Sequence, residues 1–155
     1  MRVYLVQHGE AMSKPEDPAR PLTERGRDDV ARVAAFAQRA GVKVAQIRHS
    51  GKRRAEETAV TLAEHLEPVH GVMLQAGLGP RDDVEPVAEL LKRETQPLML
   101  AGHLPFMDRL AGLLVAGDSQ RSIIRFQQGG IVCLERDPES WTWAVRWVVT
   151  PDLIP

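Results

Sequence analysis

The chain has only one cysteine, Cys133, and its 20 basic and 21 acidic residues nearly cancel. A lone cysteine excludes an intramolecular disulfide and a cysteine-rich metal site. The balanced charge excludes a global field of the kind that draws a protein to nucleic acid or anionic membrane, so any positive potential has to be local. No apolar run approaches the length of a membrane span. The first apolar strand begins at Val3, which leaves no space for a secretory leader, and a cytoplasmic location is expected. Repeats, linkers and low-complexity stretches are absent as well. The length of 155 residues suits a single domain, 1–155, with one core.

What is present is an alternation of strands and helices. Val3 to Val6 reads as a buried strand, and the proline-containing stretch 12–22 reads as a loop. Thr23 is placed to cap a helix over 24–40, with Val30, Val33, Ala34 and Ala37 on its buried face and Gly41 as a stop. A short strand is expected at Val44 to Ile47. Ser50 then reads as the cap of a helix reaching Leu66, with Ala55, Ala59, Leu62 and Leu66 buried. The stretch 67–81 reads as a loop holding a short strand near Val72 to Leu74, and a helix follows over 83–94. Pro97 to Ala101 is a further buried strand, and a helix starts near Leu104-Pro105. The last third, at 122–126, 130–136 and 141–149, is rich in β-branched and aromatic residues and reads as strands, with a turn at Asp137 to Ser140. Period two puts Trp141, Trp143, Val145 and Trp147 on one face, which suits packing against a helix better than a ligand platform. The pattern predicts a three-layer α/β/α sandwich around a Rossmann-like mixed sheet.

Two places in this pattern carry chemistry. Gln7-His8-Gly9 follows the first strand and Gly102-His103 ends a later one, so both imidazoles leave the core at carboxyl ends of strands. In open α/β sheets that edge is where ligands bind. Each histidine there suits nucleophilic or proton-transfer work, or simply satisfies a structural hydrogen bond. His49 also falls at a strand end, while His65 and His70 read as solvent-facing. Lys52, Arg53 and Arg54 open a helix whose dipole already makes that end positive, an arrangement suited to a bound anion. The other reading is a solvated basic turn balanced by Glu56 and Glu57. Gly51-Lys52 lacks the preceding glycine of a Walker loop, and Gly77 to Pro80 is no dinucleotide fingerprint. No histidine pair has metal-ligand spacing, so neither a metal nor a cofactor is expected.

These motifs resemble the histidine phosphatase superfamily, which has the phosphoglycerate mutase-like fold, and within it the small phosphohistidine phosphatases of the SixA type. The match runs in order from His8-Gly9-Glu10-Ala11, through Arg20-Pro21-Leu22-Thr23 with Gly26, and Ser50 with Arg54-Ala55 and Thr58. It continues through Pro80 with Asp82-Asp83 to Gly102-His103 and Pro105. The resemblance implies that His8 is the nucleophile that becomes phosphorylated, with His103 and Arg54 around the phosphate and Arg20 lining the groove. Gln7, Gly9, Arg20, Arg53 and Asp83 make up the expected substrate-binding set. Asp82 and Asp83 are candidate acids, and Asp83 equally suits a helix cap.

One departure stands out. The family usually has arginine directly before the nucleophile, and this chain has Gln7, a neutral donor without a bidentate fork. The expected reaction is hydrolysis of a phosphoryl group, with phosphohistidine on a protein as the favoured substrate. A small phosphorylated molecule is the alternative substrate. A module that binds phosphorylated partners with little or no turnover is the alternative from another class. Only about 50 residues separate Arg54 from His103, less than in the larger relatives that insert an acid-bearing segment there. An open site of that kind suits a phosphorylated protein side chain.

Overall fold

A computed structural model describes residues 1–155. Its core is a six-stranded sheet built from β1 (Arg2–Gln7), β2 (Gln46–His49), β3 (Val72–Leu74), β4 (Leu98–Gly102), β5 (Ile131–Arg136) and β6 (Trp143–Val149). The spatial order is β3-β2-β4-β1-β5-β6. The first four strands in that order run parallel, and β5 and β6 are antiparallel additions. Strand alternation sorts the side chains onto two faces. Val3, Leu5, Leu98 and Leu100 meet helices α3 (Glu85–Arg93) and α4 (Phe106–Ala116). Tyr4, Val6, Met99 and Ala101 meet α1 (Glu24–Arg39) and α2 (Arg53–Leu66). The result is the expected α/β/α sandwich. No helix is long and apolar enough to cross a membrane.

The connection leaving β1 passes to one face through α1, and that leaving its neighbour β4 passes to the other through α4. The chain therefore parts between β1 and β4, the switch point at whose carboxyl ends open α/β sheets form their ligand crevice. His8 and His103 stand at those two ends.

The elements differ from the sequence reading in several places. β2 runs Gln46–His49, two residues later than expected, because it pairs with Leu98 to Ala101 and so ends on His49. α2 starts at Arg53, with Lys52 as an N-cap that makes no side-chain cap bond. Ser50 is thus not the cap; its hydroxyl is turned to His103. Residues 122–126 form no strand, and their apolar residues Ile123, Ile124 and Phe126 instead pack on the α3–α4 side. Apolar, β-branched composition reports burial as readily as pairing.

The tryptophan stripe is also broken. The ladder shifts register between Cys133 and Leu134, which face Trp147 and Val145. An extra residue on β6 moves its later residues to the opposite face. Trp143 accordingly packs with the α3–α4 core, whereas Trp147 lies on the other side, 5.8 Å from Tyr4 between ring centroids. Trp141 precedes the strand and lies over the Arg136 guanidinium at 3.8 Å. That guanidinium donates to the carbonyls of Leu91, Lys92 and Glu94, closing the end of α3.

Candidate active site

Rigid strands deliver both histidines. The His8 backbone N–H donates to the Gly102 carbonyl (2.9 Å), tying the end of β1 to β4. Both side chains are nearly buried, and their ring centroids are 5.1 Å apart. Two imidazoles from segments 95 residues apart thus share one crevice.

The His8 ring is held by its own corner. Nδ1 lies 2.7 Å from the Gly9 carbonyl, which only accepts, so Nδ1 carries the proton and Nε2 keeps its lone pair. Gly9 N–H donates to Thr58 Oγ1 (3.0 Å), and the Thr58 hydroxyl donates to the Arg54 carbonyl (2.7 Å). Buried Thr58 therefore couples the His8 corner to the first turn of α2, where Arg54 stands.

Burial, opposed by the Gly9 hydrogen bond and reinforced by the charges of Arg54 and Arg20, lowers the His8 pKa to about 4. Burial, with His8, Arg54, Lys52 and Arg20, lowers His103 to about 3. Both rings are neutral at physiological pH. Arg54 Nε and His103 Nδ1 are buried without a protein partner, and buried polar atoms are expensive to leave unpaired. A bound oxyanion would satisfy the Arg54 donor, and His103 as well when Nδ1 carries the proton.

Arg20 adds its charge to this field. It adopts φ 50°, unusual for a side-chain-bearing residue, and its Nε donates to the Met12 carbonyl (2.9 Å). The loop is anchored where Leu22 N–H donates to Glu57 (3.0 Å). Gln7 ends β1, half-buried, on the α4 face by strand alternation.

Two expected substrate-binding residues are engaged elsewhere. Arg53 has an exposed side chain paired with Glu57 one turn on (3.7 Å). Asp83 is exposed, and its carboxylate accepts from Glu85 N–H (3.1 Å) at the start of α3, whose N-cap position is Val84 and carries no side-chain cap bond. Neither is among the charges that bear on the two histidines. Asp82, the other candidate acid, accepts from Gly79 N–H. His49 is structural: its Nδ1 accepts from Gly51 N–H (3.1 Å), and Nε2 lies 4.0 Å from Glu56. His65 is half-buried rather than fully solvent-facing, and His70 is exposed. No cluster of three His, Cys, Asp or Glu residues is placed to hold a metal ion. Ser50 and Thr58 are the structural partners that residue type alone did not single out. Their motif positions, four residues before and after Arg54, were the available signal.

The comparisons with known proteins bear on the family and the fold. A model of the histidine phosphatase superfamily (branch 1) matches residues 3–78. An uncharacterized protein of Picosynechococcus sp. is 31% identical over 141 residues, covering 86% of this chain and 84% of that one. The chain belongs to the histidine phosphatase superfamily, and its class is that of the phosphatases. Its fold is SixA-like: the structure of the protein histidine phosphatase SixA complexed with tungstate superposes with a TM-score of 0.87 at 25% identity, covering 99% of both chains. A phosphoserine phosphatase of Entamoeba histolytica in complex with 3-phosphoglyceric acid shares the fold, with a TM-score of 0.70, 15% identity and 96% coverage of each chain.

Proposed function

We propose that the protein removes the phosphoryl group from phosphohistidine on a protein partner through a phospho-His8 intermediate. The observation that carries the reading is the His8 corner. An imidazole whose Nδ1–H is bound to Gly9 presents a neutral, unprotonated Nε2 in a crevice bordered by Arg54, Arg20 and His103. In the first step the Nε2 lone pair forms a bond to phosphorus as the bond to the substrate imidazole breaks. That imidazole takes a proton from water. In the second step water attacks phospho-His8, inorganic phosphate leaves, and Nε2 recovers its lone pair. The protein's part is positioning and charge stabilisation of the equatorial oxygens.

The substrate class rests on the carboxylates. Glu10 is bound by Thr23, Glu57 by Leu22, Asp82 by Gly79 and Asp83 by Glu85. An alkoxide leaving group needs an acid, whereas an imidazole protonates near neutral pH without one. Arg54 is the tightest candidate for the equatorial oxygens because its Nε has no other partner.

The test is a rapid-quench experiment with a histidine-phosphorylated protein carrying radiolabelled phosphate. Alkali-stable, acid-labile label should pass through His8 and be absent from His8→Ala. Hydrolysis without label on His8 rejects the intermediate. Equal or faster turnover of simple phosphomonoesters moves the assignment to a small-molecule phosphatase. Tight binding of the phosphoprotein without phosphate release makes the protein a binding module.

A further inference from the structure

Two buried histidines would ordinarily be free to choose which nitrogen carries the proton, and the crevice sets the choice differently for each. At His103 the partner is a side chain. Ser50 Oγ lies 2.6 Å from His103 Nε2, and the same oxygen accepts from the Lys52 backbone N–H at 3.3 Å. An oxygen already accepting from an amide still has its own proton to place, and His103 Nε2 is the acceptor beside it. With Nε2 accepting, a neutral imidazole must carry its proton on Nδ1. That nitrogen is buried and has no protein partner.

We infer that Ser50 is a positioning residue that fixes His103 as its Nδ1–H tautomer, so that the ring gives a phosphoryl oxygen a neutral hydrogen bond through Nδ1. The inference deepens the phosphatase reading and rests on it for the identity of the ligand, an oxyanion of the phosphate type. In the opposite tautomer Nε2–H would donate to Ser50, and Nδ1 would turn a lone pair towards the bound anion. The two lone pairs would repel, so the tautomer decides whether His103 attracts or repels its ligand. The depressed pKa of His103 is consistent with this, because a neutral ring donates from only one nitrogen. Ser50 is thereby released from the helix-capping role its position in the sequence suggests.

Nitrogen-15 imidazole spectra of the ligand-free protein at pH 7 test the inference directly, alongside Ser50→Ala and Ser50→Thr. The wild type should show His103 protonated on Nδ1, Ser50→Thr should keep that pattern, and Ser50→Ala should lose it in favour of Nε2–H or an exchanging mixture. Vanadate should bind Ser50→Ala roughly tenfold more weakly, the size expected for one hydrogen bond to a charged acceptor, and Ser50→Thr should stay near the wild type. His8 spectra serve as the internal control for the fold, since the Gly9 contact is independent of Ser50 and should persist in both variants. A wild-type His103 protonated on Nε2 overturns the inference, as does a Ser50→Ala protein with unchanged tautomer and unchanged vanadate affinity. If no label is trapped on His8 during turnover, the phosphatase reading fails while the tautomer result still stands or falls on its own spectra.

Discussion

The two corners of the crevice are built from the same short phrase, a buried strand, a glycine and an imidazole, but they are held by different means. At the end of β1 the backbone does the holding: Gly9 accepts from the His8 ring, and the His8 amide reaches across to Gly102. At the end of β4 a side chain does it, through Ser50. The first leaves Nε2 bare and suits attack on phosphorus. The second leaves Nδ1 unpartnered and suits hydrogen bonding to an oxyanion. One residue type thus presents two different nitrogens, and the hydrogen-bond partner of each ring decides which.

The hardest test of that division is to delete each ring. His8→Ala should remove the phosphoenzyme altogether and lower turnover by at least ~10⁴-fold, as expected when a nucleophile is removed. His103→Ala should still form labelled His8, but about 10²-fold more slowly, the loss expected of one donor at developing charge. If both variants lose label to the same extent, the corners are not functionally distinct.

Lowering the pH strains both corners together. With folded pKa values of about 4 and about 3, each ring is neutral in the native protein where the unfolded chain, near 6.5, binds a proton. The unfolded state then holds more protons, so stability rises with pH between about 3 and 6.5, with both rings contributing above about 4, and is level above that on this account. Urea unfolding from pH 7.5 down to 4.5 should show the decline, and His103→Gln should flatten part of it. Vanadate, as an anion beside both rings, should raise both pKa values and lessen the decline. A single-turnover rate that climbs steeply between pH 6 and 7.5 would contradict a His8 already neutral there.

The glycines at the two corners should also respond unequally. A Cβ on Gly9 would come within 2.9 Å of Val30 Cγ2 and 3.0 Å of the Gly26 carbonyl, a neighbour that cannot rotate away. A Cβ on Gly102 would meet Met107 Cε at 2.6 Å, the far end of a flexible side chain. Gly9→Ala should therefore destabilise by ~1–3 kcal/mol, the usual penalty for overpacking. Gly102→Ala should fall below about 1 kcal/mol once Met107 changes rotamer, since methionine adapts to irregular space. Thermal unfolding of the two variants checks the order, and a reversal would show that the β1 corner is the more yielding one.

Much of this architecture was legible in residue order. The strands were marked by unbroken apolar runs, the faces of α1 and α2 by three- and four-residue spacing, and the crevice by two histidines following buried strands. What escaped was settled by distant neighbours. Ser50 looked like a helix cap because Ser commonly caps, but its hydroxyl is claimed by a residue 53 positions away. The tryptophans looked like one stripe because a bulge is invisible to a period-two count. The segment 122–126 looked like a strand because apolar composition does not say whether a partner strand exists. Arg53 and Arg54 are alike as residue types and were told apart only by motif spacing. The expected substrate-binding role of Arg53 missed that one helical step sends it to Glu57, while Arg54 Nε is buried without a partner.

The smallest expected effect concerns Gln7, the point where this chain departs from the family. Arg53 does not supply the missing charge, since it is exposed and paired with Glu57. The positive field on the histidines comes instead from Arg20, Arg54 and, at His103, Lys52. Gln7→Arg should add a charged donor at the end of β1, on the α4 face beside the His103 corner. The added guanidinium gains a charge-assisted contact with a bound oxyanion but meets the repulsion of the cations already present. The net tightening of vanadate binding should be only about threefold, below the roughly tenfold of an isolated charged hydrogen bond. The repulsion should show as salt dependence, with ligand-free Gln7→Arg gaining stability as ionic strength rises. Tightening of a hundredfold or more would mean that the charge is absent from the wild-type site and that Arg20 and Lys52 act too far away to replace it. Weaker binding would mean that the like charges dominate and that glutamine at this position relieves a crowded positive site.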